Sequence, residues 1–291
     1  MLRTAFHHLR LYESGQILVP GLFGMLTQGA LPASPSRVLL YLLAYGAHLL
    51  SVYSYNDYCD LDTDALNPRK AGEGGKSSSW LKNQTLGLTA IFLVSASFLP
   101  PRVGLLLLAN QVLCMAYSAP RLRLKRRLLG SEVAHFFAGF TYFTTGVLVA
   151  GERAQSHWIG ALLFGVLYLS GGTFNEIMDR EADEAAGMRH LAVRIGGRRA
   201  LLMVVALHGL ALALVLAYEP SPLMLVATLA AAVVYADAVR RVLEDPFAGE
   251  RLLAFRRRYR LVFAILLLIL GGSRVVHRTG VASTGESGAG D

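Results

Sequence analysis

The sequence has few charged residues and few cysteines for its length. Asp, Glu, Lys and Arg make up 16% of the 291 residues, whereas soluble domains carry roughly 25%. This shortage and a mean hydropathy of +0.44 argue against a soluble globular enzyme and against a disordered chain. The two cysteines, Cys59 and Cys114, are too few for a disulfide-stabilised secreted scaffold.

Several common catalytic patterns are also missing. The eight histidines show no HxxxH or His/Cys spacing typical of a zinc site. No Ser-His-Asp arrangement or nucleophile elbow is present. The glycine-rich stretch 72–77 lacks the preceding strand and the glycine spacing of a phosphate-binding loop, so we interpret it as a linker.

Long stretches without charged residues make up most of the sequence, and they predict nine transmembrane helices. A membrane span needs about 20 mainly apolar residues. Eight stretches meet or approach this length, and the ninth can be extended by Val275 and Val276 with snorkelling arginines at its ends. The stretches are 14–36, 38–56, 83–101, 103–120, 133–151, 154–175, 200–218, 220–236 and 261–273.

The loops between these spans alternate in charge, which predicts the orientation. The N-terminus and every second loop carry 23 of the 28 Lys and Arg residues. By the positive-inside rule this side is cytoplasmic, so the C-terminus lies outside. The net charge of +8 then reflects topology and anionic lipid, and we expect no nucleic-acid partner. We expect one domain over 1–278, a disordered tail over 279–291 and the cytoplasmic membrane of a prokaryote as the location.

The acidic residues concentrate in two windows that begin where the second and sixth spans end on the basic side. Windows 56–64 and 175–183 both read N-x3-D-x3-D. Positions i, i+4 and i+8 share one helical face. The first stripe is therefore Asn56, Asp60 and Asp64, and the second is Asn175, Asp179 and Asp183.

The two windows lie 119 residues apart, which suggests two related four-helix halves plus one helix. Like charges at i,i+4 destabilise a helix, so an acidic stripe indicates a bound cation. Oxygen ligands suit Mg²⁺, which binds through one or two carboxylates together with phosphates and water. Two facing stripes would hold two Mg²⁺ ions around a diphosphate. Basic side chains for that diphosphate follow nearby, and Arg69, Arg123 and Lys125 are the candidates.

Three segments resemble the UbiA superfamily of intramembrane prenyltransferases. The first matches the NDxxDxxxD motif of that superfamily, the second its YS-x-P…RLK segment, and the third its second DxxxD motif with the glycines that follow. They occur in the order typical of the superfamily and at matching helix ends. The segments are NDYCDLDTD at 56–64, YSAPRLRLKRRLLG at 117–130 and DREADEAAGMRHLAVRIG at 179–196.

The resemblance implies an all-α fold of nine transmembrane helices around a central cavity. It implies Mg²⁺-dependent transfer of an isoprenoid group from an allylic prenyl diphosphate to a lipophilic acceptor, with no obligatory protein partner. The residues that the resemblance implies as metal ligands are Asn56, Asp57, Asp60, Asp64, Asp179 and Asp183. The expected catalytic residues are Asp60, Asp64, Asp179 and Asp183. Contacts to the diphosphate are expected from Asn56, Arg69, Arg123, Lys125 and Asn175.

The sequence departs from that pattern at three places. Asn175-Glu176 stands where many members have Asn-Asp, and His190 stands where Thr or Ser is common. The stretch 64–75, DALNPRKAGEGG, differs from the RPxxSG of quinone-forming members and looks most like carotenoid-elongating members. An aromatic or quinone-type acceptor and a carotenoid acceptor both remain open at this point.

Alternatives from other classes fit less well. A transporter with an acidic cation site would carry its carboxylates in mid-span rather than at span ends. The windows lack the Asp-Gly and Ala-Arg signature of a CDP-alcohol phosphatidyltransferase. A soluble isoprenoid synthase would carry DDxxD on soluble amphipathic helices. We therefore expect an integral membrane enzyme with its active site on the cytoplasmic side.

Overall fold

The computed structural model describes residues 11–26, 34–64, 77–151, 157–244 and 249–285, with the side chains of 11–17, 62–64 and 275–285 left out. Every regular element in this part of the chain is helical, as predicted. The helices are α1 (Leu11–Leu26), α2 (Pro35–Asp64), α3 (Ser78–Ser97), α4 (Pro101–Ser118), α5 (Gly130–Val149), α6 (Trp158–Ala185), α7 (Leu191–Ile195), α8 (Gly197–Tyr218), α9 (Pro222–Glu244) and α10 (Gly249–Gly285), with a short 3₁₀ helix at Leu124–Arg126.

Local sequence explains where several helices begin. Pro35, Pro101 and Pro222 each occupy the first helical position, where a missing N–H costs nothing and the fixed φ suits a helix. Ser77 caps α3 because its hydroxyl accepts a hydrogen bond from the Trp80 N–H at 3.2 Å. Ser221 accepts a similar bond from the Met224 N–H at 3.3 Å.

Helices α2 and α6 continue beyond the charge-free stretches that predict them. Both acidic windows are therefore helical in backbone, since α2 runs to Asp64 and α6 runs to Ala185. This agrees with the i, i+4, i+8 spacing expected from the sequence. The single domain 1–278 and the disordered tail stay predictions, although α10 extends as a helix to Gly285.

Four helices have the length and apolar composition of a membrane span. These are Pro35–Leu61, Trp158–Ala185, Gly197–Tyr218 and Pro222–Glu244. Each of the other predicted stretches also contains a helix, but the count of nine spans stays a prediction.

The interior consists of two apolar clusters that meet at α5. The first joins α1 to α5, with Tyr45, Phe92 and Leu107 among its buried members. The second joins α5 to α10 and includes Phe164 and Leu201. Helix α5 contributes to both clusters, through Phe143 to the second and Tyr142 to the first.

Glycines allow α5 to approach its neighbours closely. A Cβ at Gly24 of α1 would collide with the Phe143 carbonyl, and one at Gly146 would collide with the Gly21 carbonyl. On the other side of α5, Gly139 lies directly against the Phe164 carbonyl of α6. Small residues that let helix backbones touch are typical of helix packing in membranes. The contact between α5 and α6 fixes the depth at which their side chains meet.

Two histidines sit in fully hydrogen-bonded clusters inside the helix bundle. His48 contacts the Gln111 side chain through Nδ1 and the Tyr142 hydroxyl through Nε2 at 2.9 Å. His208 contacts Ser170 Oγ through Nε2 at 2.6 Å and the Tyr235 hydroxyl through Nδ1 at 2.7 Å. Each cluster joins three helices, and both ring nitrogens of each histidine are used.

Candidate functional site

The first half of the site is the C-terminal end of α2. Asp57 and Asp60 are buried there, and Asn56 is half-buried. Asn56 accepts a hydrogen bond from the Ser118 hydroxyl at 2.6 Å, which joins the end of α2 to the end of α4. The side chain of Asp64 and all of Arg69 lie outside the described residues, so their roles stay predictions.

A tight loop after α4 carries basic side chains back to α2. Arg123 (φ 38°) and Leu129 (φ 63°) both adopt the left-handed conformation that non-glycine residues rarely use. Between them the chain forms the 3₁₀ helix Leu124–Arg126. Gly130 then packs against the Leu124 carbonyl, where a Cβ would not fit. This loop reverses the chain and directs Lys125 inwards.

Lys125 and Arg123 meet Asp60 at the end of α2. The Lys125 ammonium contacts both carboxylate oxygens of Asp60 and also donates to Asn56 Oδ1 at 3.3 Å. Arg123 lies 3.6 Å from the same carboxylate. Four predicted site residues, Asn56, Asp60, Arg123 and Lys125, are thus in one cluster. When the carboxylates of the first stripe bind a metal ion, the basic side chains beside them can bind a phosphate group.

The second half of the site lies at the end of α6, where His190 folds back onto the helix. Gly187 (φ 71°) provides the left-handed turn after α6. His190, 2% exposed, then hydrogen-bonds Asp183 at 3.0 Å and lies 3.3 Å from a Glu176 oxygen. Burial lowers the pKa of His190, but Asp183 and Glu176 outweigh that effect and raise the pKa to about 9. His190 is therefore a cation at neutral pH.

The other predicted residues of the second window differ in burial. Asp179 is half-buried, whereas Asn175 is exposed. The buried contacts of this window run through Glu176 rather than through Asn175, one position along the helix. The contact to His190 thus joins Glu176 and Asp183, which lie two helical turns apart on α6.

Glu132, in the first turn of α5, belongs to the same region. It is 8% exposed, and neither of its carboxylate oxygens is hydrogen-bonded by a described side chain, while the backbone of Glu132 itself and of Leu191 lies near the carboxyl. Burial raises the pKa of Glu132, and the nearby charge of Glu176 raises it further. An unpaired buried carboxylate is costly, which makes it a natural ligand for a cation.

Tyr117 connects the two windows. Its hydroxyl lies within the electrostatic influence of Asp60, Glu176 and Asp183. Lys125 Nζ is 5.8 Å from the centre of its ring. The charges of both windows therefore act on this tyrosine at the end of α4.

The donor set fits Mg²⁺, although no metal centre is preformed. Within the described ranges, no three His, Cys, Asp or Glu side chains converge closely enough to hold an ion by themselves. Mg²⁺ keeps several ligands from water and phosphate, so such an open arrangement suits it. The orphan carboxylate of Glu132 beside Glu176 is the observation that favours a bound cation.

The sequence patterns gave no role to Glu132, Glu176 or His190. Glu132 is a single acidic residue at the start of a charge-free stretch on the basic side. That position is the one feature of the sequence that points to a functional role for it. Glu176 lies within the second window, and His190 is a departure from the superfamily pattern. The contacts among these three depend on the packing of α5 and α6.

Comparisons with known proteins show which family the chain resembles. The chain matches the model of the UbiA prenyltransferase family over residues 17–257. It is 31% identical to a lycopene elongase/hydratase of Halobacterium salinarum over 198 residues, which cover 66% of this chain and 69% of that relative. It is 29% identical to a lycopene elongase/hydratase of Corynebacterium glutamicum over 189 residues, which cover 61% of this chain and 63% of that relative.

The fold is also similar to a solved structure. A UbiA homologue from Archaeoglobus fulgidus bound to GPP and Mg²⁺ superposes with a TM-score of 0.70. The superposition covers 94% of this chain and 99% of that chain at 18% identity. At this identity the likeness shows the shared helical fold.

Proposed function

The chain belongs to the UbiA prenyltransferase family, and we propose that it transfers an isoprenoid group from an allylic diphosphate to a carotenoid-type polyene. The single observation that carries the proposal is the pair of acidic windows on α2 and α6 that share Tyr117, with Lys125 and Arg123 at the first window. The carboxylates of the two windows can bind Mg²⁺, and the basic side chains beside them can bind the diphosphate that Mg²⁺ coordinates.

We assign residue roles on the same grounds. Asn56, Asp57, Asp60, Asp64, Asp179 and Asp183 would hold two Mg²⁺ ions, and we add Glu132 and Glu176 as carboxylates of the same region. Mg²⁺, when bound, would supply positive charge to the oxygens of the diphosphate. Arg69, Arg123, Lys125 and Asn175 are the proposed diphosphate contacts, with Asn56 between metal and substrate.

The basic side chains stabilise the charge that develops as the donor ionises. The C–O bond of an allylic diphosphate breaks with its electron pair on the diphosphate oxygen, which leaves an allylic cation. Lys125 and Arg123 are held beside Asp60, close to where that negative charge would develop. Preorganised charge of this kind typically contributes a large part of a rate enhancement.

Aromatic side chains line the bundle several helical turns below the acidic windows. Tyr45 and Tyr142 are buried with ring centres 4.8 Å apart, and Tyr168 lies 5.7 Å from Tyr142. Such rings would provide apolar surface for the isoprenoid chain of the donor. These three tyrosines come from α2, α5 and α6, the helices that also carry Asp60, Glu132 and Glu176.

A carotenoid-type acceptor is supported by the relatives and by one loop. The relatives from Halobacterium salinarum and Corynebacterium glutamicum are both named lycopene elongase/hydratase. The loop 64–75 has the NPRK and glycines that resemble carotenoid-elongating members. An aromatic or quinone-type acceptor is the alternative that the experiment distinguishes.

The membrane arrangement belongs to the proposal as well. We propose nine spans, with the acidic windows at the cytoplasmic face of a prokaryotic membrane. The four apolar helices and the family support an integral membrane protein. The 23 basic residues on one side support the orientation.

The test uses membranes that contain the full chain. They are incubated with labelled dimethylallyl or geranylgeranyl diphosphate and with lycopene, a hydroxybenzoate or a naphthoate as acceptor, and products are identified by mass. We expect lycopene to gain one isoprenoid unit in the presence of Mg²⁺ and no product to form after EDTA treatment. Transfer to an aromatic acceptor alone would refute the carotenoid assignment, and full turnover without metal would refute the mechanism.

A further inference from the structure

His135 on α5 carries a ring nitrogen without a partner close to the proposed site. Its Nδ1 lies 2.8 Å from the Ser131 carbonyl oxygen. A carbonyl oxygen can only accept, so Nδ1 bears the proton and Nε2 of the neutral ring bears a lone pair. Nε2 has no hydrogen-bond partner among the described residues, and the surrounding protein atoms do not enclose it completely. Part of its surface is therefore accessible.

The surroundings place this ring just below the carboxylates. Gly172 of α6 packs against the Cγ, Nδ1 and Cδ2 side of the ring, where a Cβ would lie 2.5 Å from Cγ. Gly172 precedes Glu176 by one helical turn, so the imidazole lies about one turn further into the bundle than that carboxylate. The Tyr117 ring stands perpendicular to it with centres 5.5 Å apart. His135 therefore lies beside Tyr117 at the end of α4 and about one helical turn from Glu176 on α6.

His135 differs from His48 and His208, which lie inside the bundle. His48 and His208 use both ring nitrogens in hydrogen bonds to neighbouring helices. Those two rings hold helices together and have no lone pair to offer. His135 is anchored through one nitrogen, half-buried, and leaves the other nitrogen for a ligand.

We propose that His135 Nε2 is the catalytic base that ends the prenyl transfer. The inference rests on the proposed function, because a polyene acceptor has no hydroxyl or amine proton to lose. The acceptor's π electron pair forms a C–C bond to C1 of the allylic cation, which leaves a cation on the acceptor. Nε2 takes a proton from the carbon next to that centre, and the C–H pair becomes a new double bond. The imidazolium then returns its proton to water or to the departing diphosphate.

The test compares the wild type with His135→Asn by measuring two products of one reaction. Asparagine can keep a donor at the Nδ1 position but has no atom to replace Nε2. Purified protein receives labelled dimethylallyl diphosphate, Mg²⁺ and lycopene, and both released diphosphate and elongated product are counted. The wild type should give nearly one product per diphosphate. In His135→Asn the ratio of the product with the new double bond to diphosphate should fall by about 10²-fold, because water captures the cation on the acceptor and gives a hydrated, elongated polyene of higher mass instead.

His208→Asn is the matched control. It removes a buried histidine from the same bundle, but one whose nitrogens are both engaged. We expect this variant to lose thermal stability while keeping the wild-type ratio of product to diphosphate. A purely structural role for His135 would lower product and diphosphate release together and leave the ratio unchanged, which would overturn the proposal.

A second measurement on the wild type holds even when His135→Asn fails to fold. Deuterium on the acceptor carbon that loses its proton should slow the transfer to Nε2, so the ratio of product to diphosphate should fall with the labelled acceptor. A ratio that the label leaves unchanged would refute the proposal. A wild type that prenylates no polyene would refute the proposed function first, and the inference with it.

Discussion

The Lys125 ammonium contacts both carboxylate oxygens of Asp60, and each side chain has only 8% of its surface exposed. The two residues come from different helical regions and are 65 positions apart. Burying either charge alone would be costly, so each side chain requires the other. The same two groups are proposed to bind metal and diphosphate, which means that substrate binding must replace this ion pair with new partners.

Removing Lys125 should therefore damage both stability and activity. Lys125→Met removes the nearer of the two cations beside the buried Asp60 and leaves Arg123, 3.6 Å away, so the cost should lie below the roughly 3–5 kcal/mol of a fully unpaired buried charge. We expect a lower melting temperature in detergent and a large loss of prenyl transfer. The double variant Asp60→Asn with Lys125→Met should regain most of the stability but none of the activity. A double variant that regained turnover would contradict the roles assigned to both residues.

Substitutions within the two windows should distinguish the residues that bind metal from those that do not. Asp60→Asn and Asp179→Asn should each lower turnover by about 10²–10³-fold, because each removes charge that stabilises the departing diphosphate. The double variant should be little worse than either single variant, since residues that act as a unit are not additive. Initial rates with labelled donor measure this.

Asp62→Asn is the control for that series. Asp62 lies two positions from both Asp60 and Asp64 on a continuous helix, so it belongs to another face. We expect at most a small change in turnover. An effect as large as that of Asp60→Asn would contradict the helical stripe.

Glu132→Gln should have opposite effects on stability and on metal use. Burial and the nearby charge of Glu176 disfavour its ionised form, so removing that charge should raise the melting temperature of the fold. The same change should raise the Mg²⁺ concentration needed for half-maximal activity. Glu184→Gln, at a side chain that is 60% exposed, should change neither quantity. An unchanged Mg²⁺ requirement in Glu132→Gln would remove it from the metal site.

The membrane orientation can be tested with single cysteines. The native Cys59 and Cys114 are both free and would first be replaced by alanine. We expect Ser79→Cys and Arg257→Cys to be protected from an impermeant thiol reagent added outside intact cells. Arg153→Cys and Ala282→Cys should react. The opposite labelling pattern would place the active site on the other side of the membrane.

The sequence by itself determined the helical fold and the two acidic windows. Charge-free stretches predict helices because a buried or membrane-spanning backbone must satisfy its own hydrogen bonds. The N-x3-D-x3-D spacing predicts a helical stripe because the period of a helix is local, and α2 and α6 do continue through both windows. Such features depend on residues within a few turns, which a linear pattern contains.

The tertiary structure alone decided which side chains meet. Lys125 reaches Asp60 because the loop adopts left-handed turns at Arg123 and Leu129, conformations that those residue types do not signal. Glu132 and Glu176 become neighbours through the close packing of α5 on α6, and His190 reaches Asp183 through the turn at Gly187. Contacts between residues far apart in the chain depend on helix depth and rotation, which packing sets and which no local spacing contains.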